Sequence, residues 1–233
     1  METDRLADIY RFPPRHDAPE FAVFASLIRM TTKYGFSSVR DQLVRDLRGA
    51  YPTKWEDFQS ANVLGEDFFA LPKPHPNAVL NLFEAENVRF AIPFAAYRAS
   101  IGGFSALMSD RPGPALPPRT LATTIHGMHV LRSSASGAVR MALYGEYLRV
   151  CPDEGCILNV EIGHTEARMV AMEKIYSVVI GQREGGLLSS PSLEHLLCAN
   201  CARPVELAHS TWGSVVWEKL APAFNISRSW DDL

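Results

Sequence analysis

In PEFAVFASLIRMTTKYG, the positions Phe24, Leu27, Ile28, Thr31 and Tyr34 recur at three- and four-residue steps, which predicts an amphipathic helix. Gly35 is a helix stop, and Ser37 or Ser38 can cap the next start. In SSVRDQLVRDLRGAYP, Val39, Leu43, Val44 and Leu47 form a stripe opposite Arg40, Asp41, Arg45 and Arg48. Two amphipathic helices joined by so short a turn predict a helical hairpin. Pro52 closes the second helix, and Thr53 with Glu56 has the spacing of a capping box that opens a third.

LPKPHPN then reads as extended linker, because proline excludes the α region at the residue before it, and His75 reads as a solvated loop residue. From Pro76 helical patterning resumes, through NAVLNLFEAENV and FAIPFAAYRASI, breaks at Gly102-Gly103, and gives way to the proline-rich connection DRPGPALPPRT. A long periodic segment follows, with Leu121, Ile125, Met128, Leu131, Ala135, Ala138 and Ala142 on one face. Gly127 and Gly137 each weaken that helix by about 1 kcal/mol relative to alanine, so a bend or break is expected there. CPDEGC interrupts with a turn. Another helix is expected to present Met169, Met172, Tyr176 and Val179, and GQREGGLLSSPS is loop. After LCANC a last helix carries Val205, Ala208, Trp212, Val216 and Leu220, with Trp212, Trp217 and Trp230 as its anchors. Alternating strand patterns are scarce. The predicted class is mostly α: a helical bundle with a small cysteine-bounded, zinc-clamped C-terminal subdomain. The expected division is 1–60, 61–150 and 151–233.

Composition narrows the function. A chain of 233 residues with 47% hydrophobic and 21% charged residues can bury a substantial core. Its net charge of −3 supplies no general attraction to nucleic acid or anionic membranes. The start METDRLADIYRF lacks the order of a signal peptide, and no apolar run reaches the roughly 18 residues of a membrane span. An intracellular location, in cytoplasm or nucleus, is expected, and there thiols are kept reduced.

The four cysteines of the chain, Cys151, Cys156, Cys198 and Cys201, fall in two tight pairs separated by 41 residues. Zinc takes four ligands in a tetrahedron, and a C-x2-C turn supplies two of them. In CANC that turn opens a helix, whose N-terminal amides also favour thiolate. In CPDEGC, Pro152 and Gly155 suit the corners of a tight turn. The spacing is near that of zinc ribbons, with a longer insert. Four buried apolar cysteines are the bland alternative, but burial alone does not explain two close pairs with turn residues between them. Disulfides fit the expected compartment poorly, and a thioredoxin-like centre needs a βαβ unit that is not visible. A structural Zn2+ held by the four cysteines is therefore the expected cofactor. His195 is the credible substitute ligand, while His209 lies about 12 Å along the helix from Cys201 at 1.5 Å per residue. His126 and His129 can share a helix face but have no third ligand.

No phosphate loop, H-E-x-x-H or G-x-S-x-G motif occurs, so no catalytic residue is assigned and no enzyme is expected. Four thiolates leave a metal no open position for water, which makes the site structural.

Taken in order, LIRMTTKYGFSSVRDQLVRDLRGAYPT, PHPNAVLNLFEAENVRFAIPFAAYRAS, the cysteine pairs and LLCANCARPVELAHSTWGSVVWEKLAPAFNISRSWDDL are similar to one known pattern. They resemble the region at and after the end of the BTB/POZ domain in a group of basidiomycete fungal proteins. The closing segment resembles that family's LC-x-x-C, W-x-x-L-P-like helix end and final W-x-x-L, with Ala221 where leucine is usual. The resemblance implies BTB-like terminal helices in 1–60 and a role in binding proteins. The strand-rich half of a BTB domain has no counterpart here, so BTB dimerisation and cullin-adaptor activity are not carried over. The expected function is a non-enzymatic protein-interaction module. A zinc-containing DNA-binding protein is the alternative class, disfavoured by scattered basic residues. A small hydrolase or redox enzyme is a third, for which no nucleophile and base are assembled.

Overall fold

The computed structural model of the chain describes residues 18–61, 68–101, 107, 113–147, 151–154, 156–159, 166, 169–171, 173–176, 188 and 196–233. Every regular element among the described residues is helical, and no strand occurs among them. The helices are α1 (Phe21–Tyr34), α2 (Ser37–Arg48), α3 (Trp55–Ala61), α4 (Pro76–Ala85), α5 (Ile92–Ser100), α6 (Pro118–Tyr147), α7 (Ala199–Glu218) and the short α8 (Leu220–Ala223). Chain contacts define two compact units. One takes the described residues up to Ala96 with 113–117, and the other takes those from Tyr97 to 107 and from Pro118 to Asp232.

In the first unit, α1 ends as its glycine demands. Gly35 adopts φ 70°, and the chain reverses with the Phe36 amide donating to the Thr31 carbonyl at 3.0 Å. The next helix starts with Phe36 rather than a serine at the cap, and Ser37 is already helical. The expected hairpin forms: α1 buries Phe24, Ala25, Ile28 and Thr31, and α2 buries Leu43 and Leu47. The opposite face of α2 is used as well. The Arg40 guanidinium donates to the Glu86 carbonyl at 2.9 Å, and Arg48 lies 4.4 Å from the Phe90 ring centre.

Aromatic side chains run through this core. Phe24 and Phe69 meet edge-on at 5.6 Å, and Phe21 meets Phe69 at 5.2 Å. A second cluster joins Tyr51 to Phe83 at 5.0 Å, Tyr51 to Phe94 at 5.9 Å and Phe58 to Phe94 at 5.6 Å. Such pairs add about 0.5–1.5 kcal/mol to the burial of the rings themselves.

His75 is extended, φ −63° and ψ 132°, as the proline after it demands, but it is half-buried rather than solvated. It is the N-cap of α4: its Nδ1 accepts from the Asn77 amide at 3.2 Å, and Pro76 takes the first helical position, where a missing N–H costs nothing. The 113–116 segment crosses this helix start. Asn77 donates to the Pro114 carbonyl at 3.3 Å and Asn81 to that of Ala115 at 3.1 Å, while a side chain on Gly113 would press on the His75 ring.

In the second unit α6 packs along α7 and α8. It runs unbroken through both glycines. Its buried line is Thr120, Thr124, Gly127, Leu131 and Ala135, one residue displaced at its start from the predicted Leu121, Ile125 and Met128, which are half-buried. The cause is close approach: a Cβ on Gly127 would overlap the Phe224 ring, so small residues take the contact line and larger ones flank it. The side chains of Ala138 and Ala142 lie outside the described residues.

Past the cysteine turn, residues 169–171 and 173–176 are helical, but the face is rotated from the expected one. Ala171 and Ile175 are buried while Met169 and Val170 face solvent; Met172 and Val179 lie outside the described residues. α7 buries Val205, Trp212, Val216 and Trp217, as its period predicts, while the predicted Leu220 is buried as the first residue of α8 and the side chain of Ala208 lies outside the described residues. Trp230 docks back upon α7, stacked on Trp217 at 5.4 Å with its indole N–H donating to the Trp217 carbonyl at 2.8 Å. No helix among the described residues is long and apolar enough to cross a membrane.

Candidate metal centre

Two short backbone motifs bring the cysteine pairs together. The first is a turn in which the Cys156 amide donates to the Asp153 carbonyl at 3.0 Å and the Asn159 amide to the Cys156 carbonyl at 2.9 Å. The Cys151 amide donates to the Leu158 carbonyl at 3.2 Å, which folds the segment back on itself. The second is the start of α7. Cys198 is its N-cap in an extended conformation, φ −69° and ψ 163°, and its carbonyl accepts from Cys201 at 3.0 Å and Ala202 at 2.9 Å. The Ile157 amide donates to the Leu196 carbonyl at 3.0 Å, which ties the two motifs together. Leu158, Leu196 and Leu197 are buried around this junction, so the pairing is sealed by apolar side chains.

Cys151, Cys156, Cys198 and Cys201 thereby converge, with all four sulfurs within 4.8 Å of one another. The Cys151 and Cys198 sulfurs are 3.4 Å apart, far beyond a disulfide bond of about 2.05 Å, and all four cysteines are free. Bonds of about 2.3 Å from one metal ion would set the edges of a sulfur tetrahedron near 3.8 Å. The cluster thus has the size of a single four-thiolate site, and it can hold a metal ion. Cys151 and Cys156 are buried; Cys198 and Cys201 are half-buried.

Electrostatics divide the thiols. Burial pushes the Cys151 thiol up, opposed by the Asp153 amide that donates to its sulfur. Burial likewise pushes Cys201 up strongly, reinforced by its neighbouring cysteines. Cys198 moves the other way, held below the ordinary thiol range by its hydrogen bond with the Cys151 sulfur and by the Cys201 amide. Sulfur-directed amides of this kind favour the thiolate that a metal requires. Sequence spacing pointed to the four sulfurs and to amides at the start of the last helix, of which the Cys201 amide is one. It did not point to the Asp153 amide, nor to the Leu158 and Leu196 carbonyls that align the turns.

No histidine joins the cluster among the described residues. His126 and His129 are exposed on α6, and His75 caps α4. His195 and the side chain of His209 lie outside the described residues. No protein-family model, no curated protein and no solved structure matches the chain.

Proposed function

We propose that the four cysteines bind one structural Zn2+ and that the chain is a non-enzymatic protein-interaction module of the fungal BTB-associated kind. The observation that carries the metal reading is the convergence of four free thiols, from two turns far apart in sequence, within 4.8 Å. Soft thiolates favour zinc, copper(I) or iron–sulfur clusters. The tetrahedral size supports one ion rather than a multi-iron cluster, whose cysteines bind different irons. With all four positions taken by sulfur, a zinc ion would have none left for water, and its role would be to hold the 151–159 turn to the start of α7.

The BTB likeness of the motif order and the acidic net charge of −3 favour protein over nucleic acid as partner. Metal analysis of the purified full chain tests the first half: about one equivalent of zinc is expected, and its absence, or two disulfides found by mass spectrometry, overturns it. Salt-dependent binding of arbitrary duplex DNA at micromolar concentration would overturn the second half.

A further inference from the structure

Helix α1 carries more apolar surface than the described residues of its unit cover. Phe24, Ile28 and Thr31 face inward, but Val23, Leu27, Met30 and Tyr34 form a second stripe along the same helix, at steps of four, three and four residues. Leu27 is half-buried, while Val23, Met30 and Tyr34 are 39%, 51% and 58% exposed. Phe36 continues the stripe past the helix end at 57% exposure, its ring 6.3 Å from that of Tyr34. The span from Val23 to Tyr34 is about 16 Å at 1.5 Å per residue, three turns of a helix. A lone exposed apolar residue is ordinary, whereas a contiguous periodic row marks a contact surface.

Charge narrows the occupant. The ionic side chains of α1 are Arg29 and Lys33, both exposed, one turn apart on the solvent edge of the stripe, with no carboxylate on the helix. Lys33 also lies 5.2 Å from the Tyr34 ring centre, so the cation borders the apolar row directly. In an antiparallel pair of copies the Arg29–Lys33 edges would lie side by side and repel. We infer that the Val23–Phe36 stripe docks an amphipathic helix of a partner protein whose apolar face is bordered by an acidic edge. This surface rests on the reading of the chain as a protein-interaction module and gives that module a face.

The test uses the full chain and two labelled synthetic helical peptides. Both carry leucines at i, i+4, i+7 and i+11, one with glutamates and the other with lysines along one flank. Fluorescence anisotropy should show the glutamate peptide bound at least about tenfold more tightly than its lysine twin. Met30→Glu should abolish binding, and Arg29→Glu/Lys33→Glu should invert the preference. These positions are exposed, so circular dichroism should be unchanged and loss of fold is excluded as a cause. Equal binding of the two peptides, no binding of either at about 100 μM, or a preference indifferent to the charge reversal overturns the proposal. Concentration-dependent dimerisation abolished by Met30→Glu overturns it in favour of a second copy. A defined partner retained by the Met30→Glu chain would overturn this surface alone and leave the interaction-module reading in place.

Discussion

Around Tyr51, Phe83 and Phe94 the first unit closes on itself through rings that touch edge to face, whereas around Cys151 and Cys198 the second unit gathers four thiols beneath three leucines. The two regions solve different problems. Tyr51, Phe58, Phe83 and Phe94 come from α3, α4, α5 and the segment after α2, and each is nearly fully buried. Their stabilisation is spread over many contacts, about 1.5–3 kcal/mol for each large apolar side chain buried. No helix occurs among the described residues of 151–159, and the Ile157–Leu196 backbone bond holds this turn to the segment that leads into α7. There, a single ion bridging four sulfurs would outweigh every other local contact. Apparent binding free energies of structural zinc run to about 10–16 kcal/mol in small peptides.

Removing the metal should therefore give the largest and most local effect. Chelation, or Cys198→Ser, is expected to take zinc from about one equivalent to near none and to speed amide exchange at least about tenfold in 151–159 and 196–205. Exchange across α1, α2 and α4 should stay as it was. Hydrogen-exchange mass spectrometry separates the outcomes, and unchanged protection at the cysteine turns would make packing, not metal, their support. The pH dependence has a fixed sign. Cys151 and Cys201 are raised, so in the metal-free protein they contribute stability below their unfolded values that is lost as pH rises through the folded ones. The lowered Cys198 contributes above its unfolded value, and that is lost as pH falls through the folded one. Metal must displace the protons held by the raised pair. Zinc affinity should weaken at least about tenfold per pH unit on acidification, with proton release measurable by calorimetry in two buffers.

The mirror experiment breaks the other region. Phe94 is fully buried and meets both Tyr51 and Phe58. Phe94→Ala should cost about 3–5 kcal/mol in chemical denaturation, through lost burial and the cavity left behind. Its zinc content should be unaltered. A Phe94→Ala chain that lost its metal as well would show the two regions to be one cooperative system.

The same contrast explains what could be read from the chain unaided. The α1–α2 hairpin, the stop at Gly35 and the pairing of the cysteines within two ligand turns were legible because each depends on local spacing. Helical period, a glycine at positive φ and paired ligands are all written within a few residues. What escaped depends on partners distant in sequence. The buried face of α6 is set by Phe224, almost a hundred positions away, and the inward face near Ala171 and Ile175 by whatever packs on it. The extension at His75 and the helix start at Pro76 were legible from the prolines, but not the cap that the His75 ring makes on that helix. The second stripe of α1 was hidden by counting Leu27 and Tyr34 with the core, although Tyr34 faces solvent.

The two glycines of α6 give the smallest effects and the sharpest sign. Helix propensity treats them alike, each gaining about 1 kcal/mol when replaced by alanine. At Gly137 nothing lies within 4 Å of the added methyl, so Gly137→Ala should stabilise the second unit by about 0.5–1 kcal/mol. At Gly127 the methyl would overlap the Phe224 ring, a buried aromatic that cannot move aside without disturbing α8. Overpacking of a fitted core costs about 1–3 kcal/mol, enough to cancel the propensity gain and in most of that range to reverse it. Gly127→Ala is thus expected to lower the midpoint of the second unit while Gly137→Ala raises it. Adding Phe224→Leu should recover part of the Gly127→Ala loss, since the shorter side chain frees the space the methyl needs. Equal stabilisation by both alanines would mean that α6 and Phe224 do not press together at Gly127, and that the glycine there weakens the helix without serving its packing.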